Sequence, residues 1–211
     1  MDLQLIDFLL RWGHLLFGIT WIGLLYYFNF IQGGYFKAAS PEALSDAKAK
    51  LAPEALWWFR WGAMFTFITG VLLLGLIHGK GLLNDYIILG ALMGTFMFLN
   101  VWLIIWPNQK IALGMVEGDA AAAGAKALLA SRTNTLFSAP MAFGMLGSSH
   151  FGYGTVATPD GSTDLLIGVA IVLLLEANAI AGKLGPIASV KGVIHCSLAL
   201  TAIIYAILHF L

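Results

Sequence analysis

Long apolar runs separated by short polar stretches dominate this chain. Six of them approach the roughly 20 residues needed to cross about 30 Å of hydrocarbon. They run from about Leu5 to Ile31, Trp57 to Ile77, Asp85 to Trp106, Asn134 to His150, Asp164 to Ala181 and Ser189 to Phe210. The fourth is shorter and more polar than the others. Backbone groups in lipid must be satisfied within their own element, so these runs predict helices. A membrane barrel needs alternating polar and apolar residues, and the runs are unbroken. The expected fold is all-α, a polytopic integral membrane helix bundle of about six transmembrane helices in one domain, 1–211.

Lys37 to Glu54 predicts a short helix outside the membrane, capped by Ser40 with Pro41 at its first position. Ile111 to Ala130 is alanine-rich and carries Glu117, Asp119 and Lys126, which predicts a surface helix. Phe151 to Thr163 holds Pro159, Asp160 and Gly161 and reads as a turn-rich loop. No internal repeat or low-complexity tract is evident.

Composition agrees. The chain of 211 residues is 60% hydrophobic and 10% charged, with mean hydropathy +0.87. Soluble domains carry about 25% charged residues, so lipid is the expected solvent for the outer surface. Zero net charge gives no reason to expect nucleic acid as a partner. The single cysteine, Cys196, excludes an internal disulfide. Asp2, Asp7 and Arg11 interrupt the start, so the first run is not read as a cleavable signal. Basic residues set the orientation. Lys37, Lys48, Lys50, Arg60, Lys110, Lys126, Arg132, Lys183 and Lys191 flank one set of loops, and only Arg11 and Lys80 the other. That bias predicts both termini on the periplasmic side of a bacterial inner membrane. Trp12 on one side, with Trp57, Trp58, Trp61 and Trp106 on the other, fits an aromatic belt at each interface.

Two groups of candidate chemistry emerge. His14, His78, His150 and His209 all fall toward the outer face, and histidine is a frequent haem and metal ligand. His14 lies within the first span, which favours a ligand or buried hydrogen-bonding role. For His78 and His209 an interfacial role is the simpler reading, and for His150 the two readings balance. Toward the cytoplasm stand Asn29, Gln32, Asn100, Asn134, Ser138, Glu176, Asn178 and His195. Glu176 is the only acidic residue well inside a span, so it needs a partner or a proton. His195 has a matching depth on the next span. The expectation is a hydrogen-bonded Glu176–His195 pair facing a polar cavity with Asn100 and Asn134. The alternative is one structural hydrogen bond gluing two helices. In the fourth span Asn134, Ser138, Met141, Met145 and Ser149 recur at helical spacing. Their methionines read as packing far more readily than as haem ligands. Pro140 predicts a kink that opens a cavity.

At these residues a resemblance appears. Arg11-Trp12-Gly13-His14, then GITWIGLLYYFNFIQ, resembles the start of the membrane domain of bacterial membrane-bound urate oxidases. NVWLIIWPNQK from Asn100, SRTNTLFSAPMAF from Ser131 and the pair His150-Phe151 continue it over nearly the whole chain. A weaker similarity is to small haem-associated membrane proteins, including the four-helix protoporphyrinogen oxidase. The first resemblance implies oxidation of urate to 5-hydroxyisourate, with electrons passed to cytochrome c and no peroxide formed. In that family a cytochrome c domain follows the membrane domain. Here no haem c signature occurs before Leu211, so a separate cytochrome c or quinone is the expected acceptor. The expected cofactor is haem b in the outer half, with His14 as one axial ligand and His150 the first choice for the other. His78 or His209 is the substitute, and Arg11 is a further cofactor-binding candidate. Glu176, His195, Asn100 and Asn134 are the candidate catalytic residues. Two other readings stand beside this one. One is a non-catalytic electron-transfer or assembly subunit within a larger membrane complex or homo-oligomer. The other is a small-molecule transporter.

Overall fold

The computed structural model describes residues 2–151 and 162–211. Most of the loop expected between Phe151 and Thr163 therefore lies outside the described residues. Those described form six long helices and no strand. They are α1 (Leu3–Ala38), α2 (Pro41–Gly79), α3 (Asp85–Ala112), α4 (Ala120–His150), α5 (Thr163–Ala181) and α6 (Val190–Phe210). A 3₁₀ turn, Gly185–Ala188, joins the last two. The expected all-α bundle is thus observed.

Short polar side chains start most of these helices by satisfying free backbone N–H groups. Asp2 accepts from Gln4 N at 3.1 Å, Ser40 from Ala43 N at 3.3 Å and Asn84 from Ile87 N at 3.2 Å. Asp119 accepts from Ala121 N and Ala122 N, and Ser189 from Gly192 N. The cap at Ser40 with Pro41 behind it matches expectation. The separate short helix does not. The chain continues from Pro41 through Gly79 without a break, passing a π-helical segment at Ala47–Leu51.

α1, α2, α3, α5 and α6 are long and apolar enough to cross a membrane. Exposed Leu, Ile and Phe cover their outer faces, including Phe8, Leu15, Ile19, Leu103, Leu174 and Ile203. Such a surface suits lipid and is too apolar for water, so the protein is a membrane protein. α4 is the exception, and it corrects the reading of the fourth span. It has 31 residues, beginning at Ala120, and it is not apolar enough to qualify as a span by composition. The reason is its place. α3, α5, α6 and the later part of α1 all pack on it, so few of its side chains meet lipid. Its first turns, expected as a surface helix, pack on the end of α3, with Ala123, Ala127 and Ala130 buried. Small residues also set the α3–α4 crossing. A Cβ added at Gly144 would stand 2.6 Å from the Tyr86 carbonyl oxygen, so only glycine permits that approach.

Two further π-helical segments occur, at Tyr27–Gln32 in α1 and Asn100–Ile105 in α3. Such bulges shift the backbone ladder and free carbonyl oxygens for side chains. Both fall near the end of the bundle that carries most of the basic residues, here called the basic end.

Candidate functional site

The polar residues near the basic end are drawn onto α4 from three directions. From α3, Asn100 opens the π segment and is 1% exposed. Its Nδ2 donates to Asn134 Oδ1 at 3.0 Å and to Glu176 Oε2 at 3.1 Å. Asn134, with no exposed surface, donates through Nδ2 to the Met97 carbonyl at 2.9 Å, one turn before the bulge. Asn134 thereby fixes Asn100, and Asn100 fixes one oxygen of Glu176, which is 6% exposed. Three of the four expected catalytic residues therefore meet around one carboxylate. A buried carboxylate held by an amide donor that is itself fixed is a constrained acid–base group, its orientation set by that neighbour.

The fourth does not join them. His195 is exposed on α6, and no hydrogen bond links it to Glu176. Val193 and Ser197 are buried on that helix, and residue 195 stands roughly 200° around the helix from each. The expected Glu176–His195 pair does not form, because residue 195 lies on the outer face of its helix. Asn178 is also elsewhere, exchanging hydrogen bonds with the backbone of Lys183 to close the turn after α5.

From α1, Asn29 donates through Nδ2 to Ser131 Oγ at 2.8 Å and to its own helix at the Leu25 carbonyl. Tyr26 Oη lies 2.9 Å from Ser138 Oγ. From α6, Ser197 Oγ donates to the Leu136 carbonyl at 2.8 Å. That carbonyl is the one whose helical N–H partner Pro140 removes. Beside this junction lies a cavity of about 230 Å³ between α1, α4 and α6, lined by Tyr26, Phe30, Thr135, Ser138, Ser197 and apolar neighbours. A cavity near Pro140 was expected. The partner from α6 was not.

At the N-terminal end the histidines are separate. His14 packs between α1 and α2, its Nδ1 2.9 Å from the Thr66 carbonyl and 3.1 Å from Thr69 Oγ1. Gly70 makes the room, since a Cβ there would lie 3.1 Å from His14 Cε1. The Thr66 carbonyl can only accept, so Nδ1 carries the proton and Nε2 keeps a free lone pair. That is the arrangement of a histidine oriented to bind a metal. His150 is exposed at the end of α4, its Nδ1 2.9 Å from the Leu146 carbonyl of its own helix. His209 is exposed and stacks on Tyr205, and His78 is exposed near the end of α2. No hydrogen bond joins any of these three to His14. Among the described residues no group of three His, Cys, Asp or Glu side chains is gathered as a metal site. Arg11 is engaged otherwise. Its Nε is 2.7 Å from Asp7 Oδ1, while Lys80 Nζ holds Asp7 Oδ2 at 2.7 Å, tying the start of α1 to the end of α2. Met141 and Met145 pack over Gly90 and Gly94 of α3.

Comparison with known proteins adds one match. Residues 80–179 fit the family model described as Urate oxidase N-terminal. No curated protein and no solved structure matches the chain. The matched stretch is thus urate-oxidase-like, as the sequence motifs implied, and it takes in α3, α4 and nearly all of α5. Asn100, Asn134 and Glu176 all fall inside it, whereas Arg11 and His14 precede it and His195 follows it.

Proposed function

We propose that this chain, urate-oxidase-like over residues 80–179, oxidises urate within a membrane and delivers the electrons to a separate cytochrome c or quinone. The observation that carries this reading is the coincidence of the matched stretch with the buried network of Asn100, Asn134 and Glu176. The reaction balances as urate plus water giving 5-hydroxyisourate, two protons and two electrons. The carboxylate of Glu176 is the group positioned to accept a proton. Asn100 holds its Oε2, and among the described residues none donates to the other oxygen. Asn134 fixes Asn100 through the Met97 carbonyl, so that free oxygen has a set direction. Positioned proton transfer of this kind contributes about 10²–10⁴-fold to rate.

The reading includes a b-type haem, which would supply one-electron steps between substrate and acceptor. His14 is the residue suited to hold it, because the Thr66 carbonyl leaves Nε2 as the free nitrogen. It also places the basic end at the cytoplasmic face of a bacterial inner membrane, following the distribution of Lys and Arg.

The test compares membranes containing the wild-type chain with membranes containing Glu176→Gln. Glutamine keeps an oxygen for Asn100 and cannot take the proton. Urate consumption by wild type, reduced at least about 100-fold in the variant at equal protein level, is the expected result. Equal consumption by both would make the Glu176 network helix glue and remove it from catalysis.

A further inference from the structure

Aromatic rings pair along the seam between α2 and α3. Phe67 stacks on Phe98 with centroids 4.2 Å apart and 3° between their planes. Nearer the basic end, Trp61 meets Trp102 edge to face at 5.6 Å. At the next contact a cation takes the place of one ring. Arg60 lies over Trp106 with Cζ 3.8 Å from the ring centroid, and Lys110 Nζ is 5.6 Å from the same centroid. Attraction to a ring holds a cation in place without neutralising it.

The described part of the chain does not answer these two charges. No carboxylate lies within ion-pair distance of Arg60 or Lys110 among the described residues. Glu54, on the same helix as Arg60, accepts instead from Trp58 Nε1 at 3.1 Å. The opposite end of the bundle differs. There Arg11 and Lys80 share the carboxylate of Asp7, each at 2.7 Å. Two cations gathered at one indole also repel each other, so a bound anion would relieve repulsion as well as supply attraction. Stacking engages only the flat face of the Arg60 guanidinium. Its N–H edge stays able to hold two oxygens of a phosphate.

The surroundings identify where such an anion comes from. Arg60, Trp106 and Lys110 are half-buried, so they can be reached from outside the bundle. Trp57 and Trp58, within one turn of Arg60, are exposed, and such indoles settle at the level of lipid headgroups. Farther from the basic end the same two helices expose Phe65 and Ile68 on α2, and Leu99 and Leu103 on α3. Those side chains suit acyl chains. Cations at the headgroup level with an apolar strip beneath them match the two parts of a phospholipid. A soluble acidic protein would meet the charges and leave the strip unmatched.

We propose that Arg60, Trp106 and Lys110 form a headgroup site for a phospholipid of net negative charge, whose acyl chains lie along α2 and α3. The unanswered charge selects against zwitterionic lipids, whose own ammonium group balances the phosphate. This site stands apart from the urate reaction and does not depend on it.

The test titrates the purified full chain in detergent with phosphatidylglycerol, and in parallel with phosphatidylcholine, following the melting temperature. A lipid that binds the folded protein raises it. Phosphatidylglycerol should raise the wild-type melting temperature, and phosphatidylcholine by much less. In Arg60→Gln/Lys110→Gln the phosphatidylglycerol needed for half the shift should rise at least about 10-fold. Lys48→Gln/Lys191→Gln removes the same charge from exposed positions at the same end and should behave as wild type. No shift with phosphatidylglycerol, or equal shifts with both lipids, would overturn the proposal. So would an equal loss of affinity in the two double variants, which would make the attraction diffuse. Inorganic phosphate that reproduced the shift without lipid would overturn it in favour of a free-phosphate site. Should Arg60→Gln/Lys110→Gln fail to fold, the wild type decides alone. Raising NaCl from about 0.05 to about 0.5 M should weaken the effect of phosphatidylglycerol, and an effect indifferent to salt would overturn the proposal.

Discussion

Ser197 on α6 repairs the break that Pro140 makes in α4. Proline has no N–H to give the carbonyl four residues back, and that carbonyl, of Leu136, accepts instead from Ser197 Oγ at 2.8 Å. Both residues are buried, so water cannot substitute. One side chain thus satisfies the central helix, joins it to α6 and borders the cavity between α1, α4 and α6.

Removing Ser197 leaves that carbonyl unsatisfied. Ser197→Ala should destabilise the protein by about 1–3 kcal/mol, read as a lower unfolding midpoint. Pro140→Ala restores the helical bond. In the double variant the cost of losing Ser197 should therefore largely vanish. A double-mutant cycle measures this, and additive losses would show that the two residues are independent.

How much of this was legible in the sequence varies with the physics involved. Lipid selects composition strongly, so the apolar spans could be read directly. The cap at Ser40 was equally plain, because few residue types satisfy a helix start. The reach of α4 was not legible. Its alanine-rich first turns resemble a surface helix, and only the tertiary fold covers Ala123, Ala127 and Ala130. The meeting of Glu176 with Asn100 and Asn134 followed from depth alone. The exclusion of His195 is a matter of helix face, which depth cannot supply. The bulges at Asn29 and Asn100 leave no mark in hydropathy. Arg132 read as one basic residue among those flanking a loop, and its burial comes only from the tertiary fold.

His14 is the proposed haem ligand. With Nδ1 held by the Thr66 carbonyl, replacement by alanine removes the one nitrogen oriented for a ligand. Wild-type protein purified from haem-sufficient cells should show a b-type reduced-minus-oxidised spectrum. His14→Ala should lose it while remaining in the membrane fraction. An unchanged spectrum in the variant would assign the ligand elsewhere, and no spectrum in the wild type would end the haem proposal.

The orientation can be checked without any activity. A reporter that works only in the cytoplasm, fused after Leu211, should be inactive. The same reporter inserted in the basic turn near Lys183 should be active. The opposite pattern would reverse the assignment of the basic end to the cytoplasmic face.

The central claim is that urate is oxidised without oxygen as the electron acceptor. The direct measurement is anaerobic urate oxidation by the purified chain with ferricytochrome c or a short-chain quinone. Urate absorbance should fall as the acceptor is reduced, with two electrons recovered per urate and no peroxide on readmitting air. No loss of urate with either acceptor, from protein that binds urate, would contradict the account, as would turnover that requires oxygen and yields peroxide.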